Sequence, residues 1–470
     1  MLFDTLGYWL FFAAVLLALA ALRPGPAKLL LVLASYVFYA FWDVRFVALL
    51  GASTLANWQF GLWIDRSAGA ARRRALIVAI VFNLGTLAFF KYFNFFVDTF
   101  ATLLQLDPHG LTLRIVLPVG ISFFTFEGIA YAVDIYRRDL AARRSALDFA
   151  LFISFFPHLI AGPIIRPVQF FPQTGQPLVL SDEDARWGLR EILKGLFKKI
   201  ALANFNAPIA DAYFHHAAWN GAAVPAWIGV LAFSMQIYFD FSGYTDIARG
   251  CARLLGYRFP PNFERPYLAA NISEFWHRWH ISLSSWLRDY LYIPLGGSRR
   301  GEARTCANLI IVMGLGGLWH GASWNFALWG LYHGGLLVAH RYWRRAVERA
   351  GAGTLVDHRA LQPLWCACTF VLVTLGWIPF RAPDAASTWS TLSALASAPD
   401  FTLLRAHPAI IAIPLLSLAF CRLDRERRVQ QWLVERAPLP VAAAACALLV
   451  LGLEILGQID AQIPFVYFQF

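Results

Sequence analysis

Arginine clusters cut this chain into apolar runs, and the length of those runs constrains the fold more than any other feature. The runs include Gly7 to Leu22, Leu29 to Trp42, Phe46 to Ile64, Ala75 to Phe90, Ile115 to Ile135, Ala223 to Phe239 and Leu364 to Phe380. Crossing a bilayer takes roughly 20 helical residues, so several of these reach across. Of 470 residues, 59% are hydrophobic and 15% charged, against about 25% charged in soluble domains. The expected fold is an all-α polytopic membrane protein with about 10–12 transmembrane or re-entrant helices. No stretch outside the runs is long enough for a soluble core, so residues 1–470 read as a single domain. The first run lacks a small-residue cleavage site and reads as a retained span. The formal charge of +11 is mostly arginine. In this class it marks cytoplasmic loops, not a nucleic-acid surface. The six cysteines form no metal-spaced pair and read as structural thiols.

Basic loops alternate with weakly charged ones. The positive-inside rule places residues 23–28, 66–74 and 137–144 in the cytoplasm and the N-terminus outside. A loop is expected after Phe90. Phe149 to Ile160 is short and runs into Phe156-Pro-His-Leu-Ile-Ala-Gly-Pro163, which reads as a broken or re-entrant helix. Ser181 followed by Asp184 has the form of a helix N-terminus. Lys194, Lys198 and Lys199 make the next helix basic on one side, which predicts a place at the cytoplasmic interface. Pro408 to Ala419 and Val441 to Leu456 are the last apolar runs. The aromatic end Phe465 to Phe470 reads as an interfacial anchor.

Gly314-Leu-Gly-Gly-Leu-Trp-His-Gly-Ala-Ser-Trp-Asn-Phe326 sets one histidine, His320, inside an apolar, glycine-interrupted segment. An ionisable side chain at membrane depth is costly and marks a candidate site. The glycines allow close backbone approach or a helix break. Arg299, Arg300 and Arg304 precede the segment, and Arg341, Arg344, Arg345 and Arg349 follow it. If both clusters are cytoplasmic, the segment is a hairpin with His320 at its tip; otherwise it is one ordinary crossing. Burial would keep the imidazole uncharged and able to accept a proton, as activation of a hydroxyl nucleophile requires. A satisfied core histidine is the alternative. Trp319, Ser323 and Asn325 surround His320 as candidate substrate contacts.

Residues 271–289 mix aromatics with Glu274, His277, Arg278, His280, Arg288 and Asp289. On one helix Glu274, His277 and His280 share a face. An amphipathic interfacial helix, a metal site built on Glu274-x-x-His277, and acid/base chemistry shared with His320 all remain open. Asp240-Phe-Ser-Gly-Tyr-Thr-Asp246 brings two carboxylates and Tyr244 near the end of a span. These could bind a cation, orient Arg278, cap a helix or pair structurally, and Asp240, Tyr244 and Arg278 are further candidate substrate contacts. Arg166 either serves a phosphate or marks the cytoplasmic side.

At these residues the chain resembles the membrane-bound O-acyltransferases, and within them the bacterial branch of alginate O-acetyltransferase membrane subunits. The matching stretches are Leu117-Pro-Val-Gly-Ile-Ser-Phe-Phe-Thr-Phe126, Phe156 to Pro163, Asp240 to Asp246, Asn262-Phe-Glu-Arg-Pro-Tyr267, Trp279-His-Ile-Ser-Leu-Ser284, Tyr290 to Gly297, Gly317 to Trp324 and Tyr467 to Phe470. The resemblance implies acyl transfer from a thioester through a central tunnel. Its catalytic histidine falls on His320 and its second polar catalytic position on His280. It implies peripheral spans over 1–136, a catalytic core over about 147–345 and C-terminal spans over 363–470. No tightly bound cofactor and no metal are expected. The donor would be acetyl-CoA or an acyl carrier protein thioester at the cytoplasmic face. The acceptor side would hold an exopolysaccharide such as alginate, with a periplasmic or secreted partner, in a bacterial inner membrane. D-alanyl transfer toward teichoic acid is the alternative inside the family. A transporter and a His-ligated oxygenase are the alternatives outside it.

Overall fold

The computed structural model describes residues 3–107, 111–160, 162–175, 180–215, 221–356, 358–423, 437–438, 440–441, 443–444, 447–448, 450–451 and 465–466. Among the described residues the structure is helical and contains no strand. Most of the expected run Val441 to Leu456, together with Cys446 and Tyr467 to Phe470, lies outside them. The chain divides into two compact units, Met1–Ile192 with Ile247–Pro260 and Leu193–Asp246 with Pro261–Phe470.

In the first unit, the runs fold as helices Leu6–Ala20, Pro24–Ala40, Arg45–Arg66 and Gly69–Leu87. The loop expected after Phe90 is helical instead. A π-turn at Ala88–Tyr92 leads into Phe93–Leu103, and no glycine or proline interrupts residues 88–103. Conversely, the run expected from Ile115 becomes helical only over Ile121–Arg137, after Pro118 and the positive-φ Gly120. The broken helix is borne out: Ala146–Ser154 stops, Phe155 turns out of helical geometry, and Phe156–Leu159 makes one further turn around Pro157. Within this unit His158 Nε2 lies 2.9 Å from a Glu127 oxygen, both fully buried. Ser181 accepts the Asp184 amide at 3.1 Å, as its sequence position predicts.

Large apolar side chains lie exposed along several helices, Leu10, Leu17, Leu33 and Val81 among them. Such surfaces suit lipid and not water. Among the described residues three helices are long and apolar enough to cross a membrane: Gly69–Leu103, Ala223–Leu254 and Arg359–Arg381. The chain is a polytopic membrane protein.

The second unit is organised around the first part of helix Ala223–Leu254, which runs well beyond the expected Phe239. The lysine-bearing segment is not an interfacial face. Lys194, Lys198 and Lys199 are buried. Lys194 and Lys198 reach Asp246 at 3.1 and 3.0 Å, and Lys199 reaches Asp240 at 2.8 Å. Ammonium groups without lipid or water around them require such partners. The helix becomes a π-helix over Phe197–Ala203, and there two consecutive lysines are both turned inward. The Asp240 and Asp246 pair is therefore structural; Arg278 bonds elsewhere. The described part of the C-terminal end is also inside, not at an interface. Phe465 is 1% exposed, with its ring 4.3 Å from Tyr244, and the Val466 amide donates to Asp240 at 2.7 Å.

Helices Glu302–His320 and Trp324–Arg349 form a long antiparallel hairpin. Glycines set its tightness. A Cβ on Gly317 would strike the Phe326 carbonyl, and one on Gly330 would strike that of Met313. Small residues at such crossings let backbones touch. At the open end Glu302 pairs with Arg341 at 2.6 Å and Arg345 at 2.5 Å. The hairpin reading of this segment, with His320 at the tip, is what the structure shows.

Candidate active site

His320 is the last residue of the hairpin's first helix, and Gly321 leaves the helix in extended geometry. Its ring stands edge-on to three aromatic walls: Trp319 at 5.0 Å, Trp329 at 5.0 Å and Phe380 at 5.2 Å between ring centroids. Trp329 comes from the return helix and Phe380 from Gln362–Arg381. His320 keeps 6% of its surface accessible, whereas His280 and His333 have none.

His280 does not share a helix with His277. The expected continuous helix is broken into Ile272–Arg278 and Ile281–Leu287, with His280 left-handed between them at φ 43°. The break turns the ring into the core. It lies 4.7 Å from Phe241 and 6.0 Å from Trp319, and the Trp319 indole also contacts His320, so it touches both catalytic candidates. His280 Nδ1 sits 3.2 Å from Asn262 Oδ1. That oxygen also accepts the Ser282 amide at 3.0 Å and the Ser282 hydroxyl at 2.9 Å. The backbone amide identifies this atom of Asn262 as the oxygen, so His280 Nδ1 carries the hydrogen and Nε2 is the acceptor. Nε2 has no hydrogen-bond partner among the described residues.

Other expected contacts have intramolecular partners. Ser323 caps the return helix by accepting the Asn325 amide at 3.2 Å. Asn325 ties that helix to the Ala382 carbonyl at 2.9 Å and to Thr388 at 3.3 Å. Arg278 pairs with Glu274 four residues earlier at 2.5 Å, not with Asp240. Tyr244 is buried against Phe465, with Lys199 over its ring at 5.9 Å. Nor do Glu274, His277 and His280 converge on a metal. Glu274 is taken by Arg278 and the Ala270 amide, and His277 is exposed on the Ser273 carbonyl. No group of three metal-ligating side chains occurs among the described residues.

Beside the hairpin lies a mainly apolar cavity of about 260 Å³, bordered by Trp276, Ser284, Ser285, Arg288, Leu309 and Met313. Trp276 is one of its walls, and its ring is also 5.7 Å from Trp329, an indole that touches His320. Sequence reasoning missed Asn262, Trp329 and Phe380 as site residues. Asn262 lies in one of the motifs that carry the resemblance, so a signal existed. Phe380 is one aromatic in an apolar run and carried none.

Comparison with known proteins matches residues 138–365 to the model of the membrane-bound O-acyltransferase family. A protein of Azotobacter vinelandii named probable alginate O-acetylase is 42% identical over 410 residues, covering 86% of this chain and 79% of its own length. The peptidoglycan O-acetyltransferase of Helicobacter pylori is 39% identical, covering 80% and 75%. The teichoic acid D-alanyltransferase of Streptococcus thermophilus is 28% identical, covering 56% of this chain and 68% of that protein.

Proposed function

Because this chain belongs to the membrane-bound O-acyltransferase family, we propose that its hairpin tip carries out O-acetyl transfer, with His320 as the base. The observation that carries this reading is the placement of His320. Of the buried histidines of the second unit among the described residues, His280, His320 and His333, it is the one with accessible surface, and it is walled by aromatic rings. His320 takes the proton of an acceptor hydroxyl as its oxygen attacks the thioester carbonyl. The tetrahedral intermediate collapses, the thiolate leaves, and the imidazolium returns its proton to the sulfur. His280 contacts Trp319, which contacts His320, and it acts as a positioning residue. With Nδ1 committed to Asn262, its Nε2 would stabilise an oxyanion only when protonated.

The donor is a thioester, acetyl-CoA or an acyl carrier protein, arriving from the cytoplasm along a tunnel that includes the cavity beside Trp276. The basic open end of the hairpin supports that sidedness. The acceptor is an exopolysaccharide such as alginate, reached directly or through a periplasmic partner. The enzyme sits in the bacterial inner membrane with its N-terminus outside, and one acyltransferase domain spans the chain. The O-acetylating relatives match at 39–44% identity and the D-alanyl relatives at 27–28%, which favours acetyl. His320→Ala should abolish polymer acetylation at unchanged protein level, as measured by ester analysis of the polymer. Retained acetylation would overturn the assignment.

A further inference from the structure

His333 is a third histidine of this centre, and the reaction as written gives it no task. It is fully buried, and neither ring nitrogen has a hydrogen-bond partner among the described residues. Its neighbours are rings: Trp329 at 4.9 Å, Trp276 at 5.2 Å, Tyr332 at 5.4 Å and Phe275 at 6.2 Å. Gly376 makes room for it, since a Cβ there would stand 2.7 Å from Nε2. A phenyl ring would fill such a place without cost, whereas an imidazole leaves one donor and one acceptor unmet. Buried polar atoms of that kind call for a partner that arrives with a ligand.

Its place among these rings identifies the ligand. Trp276 lines the cavity and its ring touches both His333 and Trp329, and Trp329 in turn touches both His333 and His320. His333 stands nine residues beyond Trp324 at the start of the return helix, about 14 Å toward the basic open end. That is the side from which the thioester is proposed to come. His320 and His333 lie 5.0 and 4.9 Å from the same indole, so their rings are at most about 10 Å apart. Standard bond lengths put the two amides of a pantetheine arm within about 10 Å of the thioester carbon. Each amide presents one donor and one acceptor, matching a neutral imidazole.

We propose that His333 is a donor-binding residue that hydrogen-bonds an amide of the pantetheine arm after Trp276 swings from the cavity wall. The proposal rests on the thioester reading above. The arm is common to coenzyme A and to carrier proteins.

The test uses the full chain in detergent with His320→Ala, so that the donor is not consumed, and measures binding of radiolabelled acetyl-CoA. Adding His333→Phe should weaken binding about tenfold, the loss of roughly one hydrogen bond, and His333→Gln should restore most of it. Displacement by pantetheine should show the same loss. Displacement by ethyl thioacetate, which has no amide, should show none. Equal affinity in His333→Phe, or an equal loss for ethyl thioacetate, would overturn the subsite while leaving the thioester reading intact. If only an acetylated carrier protein binds, the same tenfold loss is expected on it. If neither donor binds, the thioester reading and the subsite both fall.

Discussion

Two regions of the second unit bury polar groups in apolar surroundings and treat them in opposite ways. Around Asp240 and Asp246 three lysine ammoniums sit on carboxylates within 3.1 Å, and a backbone amide completes the set. Around the hairpin tip, His280 Nε2, both nitrogens of His333 and the indole nitrogens of Trp276, Trp329 and Trp377 have no partner among the described residues. A network whose members satisfy one another holds the fold. A cluster left unsatisfied is where a substrate is needed to complete it. On the function proposed above, the ion-paired region serves the fold and the hairpin tip serves the reaction.

Replacing His320 should give the largest effect that sharpens the contrast. His320→Ala should remove transfer entirely yet cost only about 1 kcal/mol of stability in detergent, the ordinary effect of a single substitution, seen as a small shift in Tm. A large drop in Tm would break the contrast. Asp246→Asn should do the reverse. Uncovering Lys194 and Lys198 should cost about 3–5 kcal/mol, seen as a marked fall in Tm. Asn262→Ala comes next. Its oxygen holds His280 and Ser282, and its loss should cost about 1–3 kcal/mol, with kcat falling more than donor affinity. Ser323→Ala removes only a cap and should cost about 1 kcal/mol.

The smallest effect is at Glu302, whose carboxyl is held below its ordinary value of 4.5 first by hydrogen bonding to Arg341 and then by Arg345. A depressed carboxyl contributes stability above its unfolded value that is lost as pH falls through the folded one. The Tm difference between wild type and Glu302→Gln should therefore be steady from neutrality down to about pH 5 and fall away as the pH drops below the ordinary carboxyl value and through the lowered folded one. A difference that persists in acid would show that the ion pair is not its source.

Much of the hairpin was readable because its signals are local. Glycines at 314, 316, 317 and 321, one histidine and arginines at both ends demand a close turn whatever surrounds it. The capping serine at 181 was equally plain. The lysine segment misled because charge at helical spacing has two solutions, an exposed face or a buried one with partners. Asp240 and Asp246 lie more than forty residues away. His280 misled similarly: a helical period was assumed across Trp279, and the left-handed turn that reverses the ring is set by what Asn262 and Phe241 offer it. Asn57 and Asn83, bonded to each other at 2.7 Å in the first unit, were invisible for the same reason.

Sequence by itself determined the solvent, the helical class, the hairpin and the residue at its tip, since each follows from the hydropathy and backbone freedom of neighbours in the chain. Only the tertiary structure decided which charges are buried in pairs, which way His280 faces, and that His320 and His333 share one indole. Those outcomes depend on contacts between distant segments, whose energies no local pattern encodes.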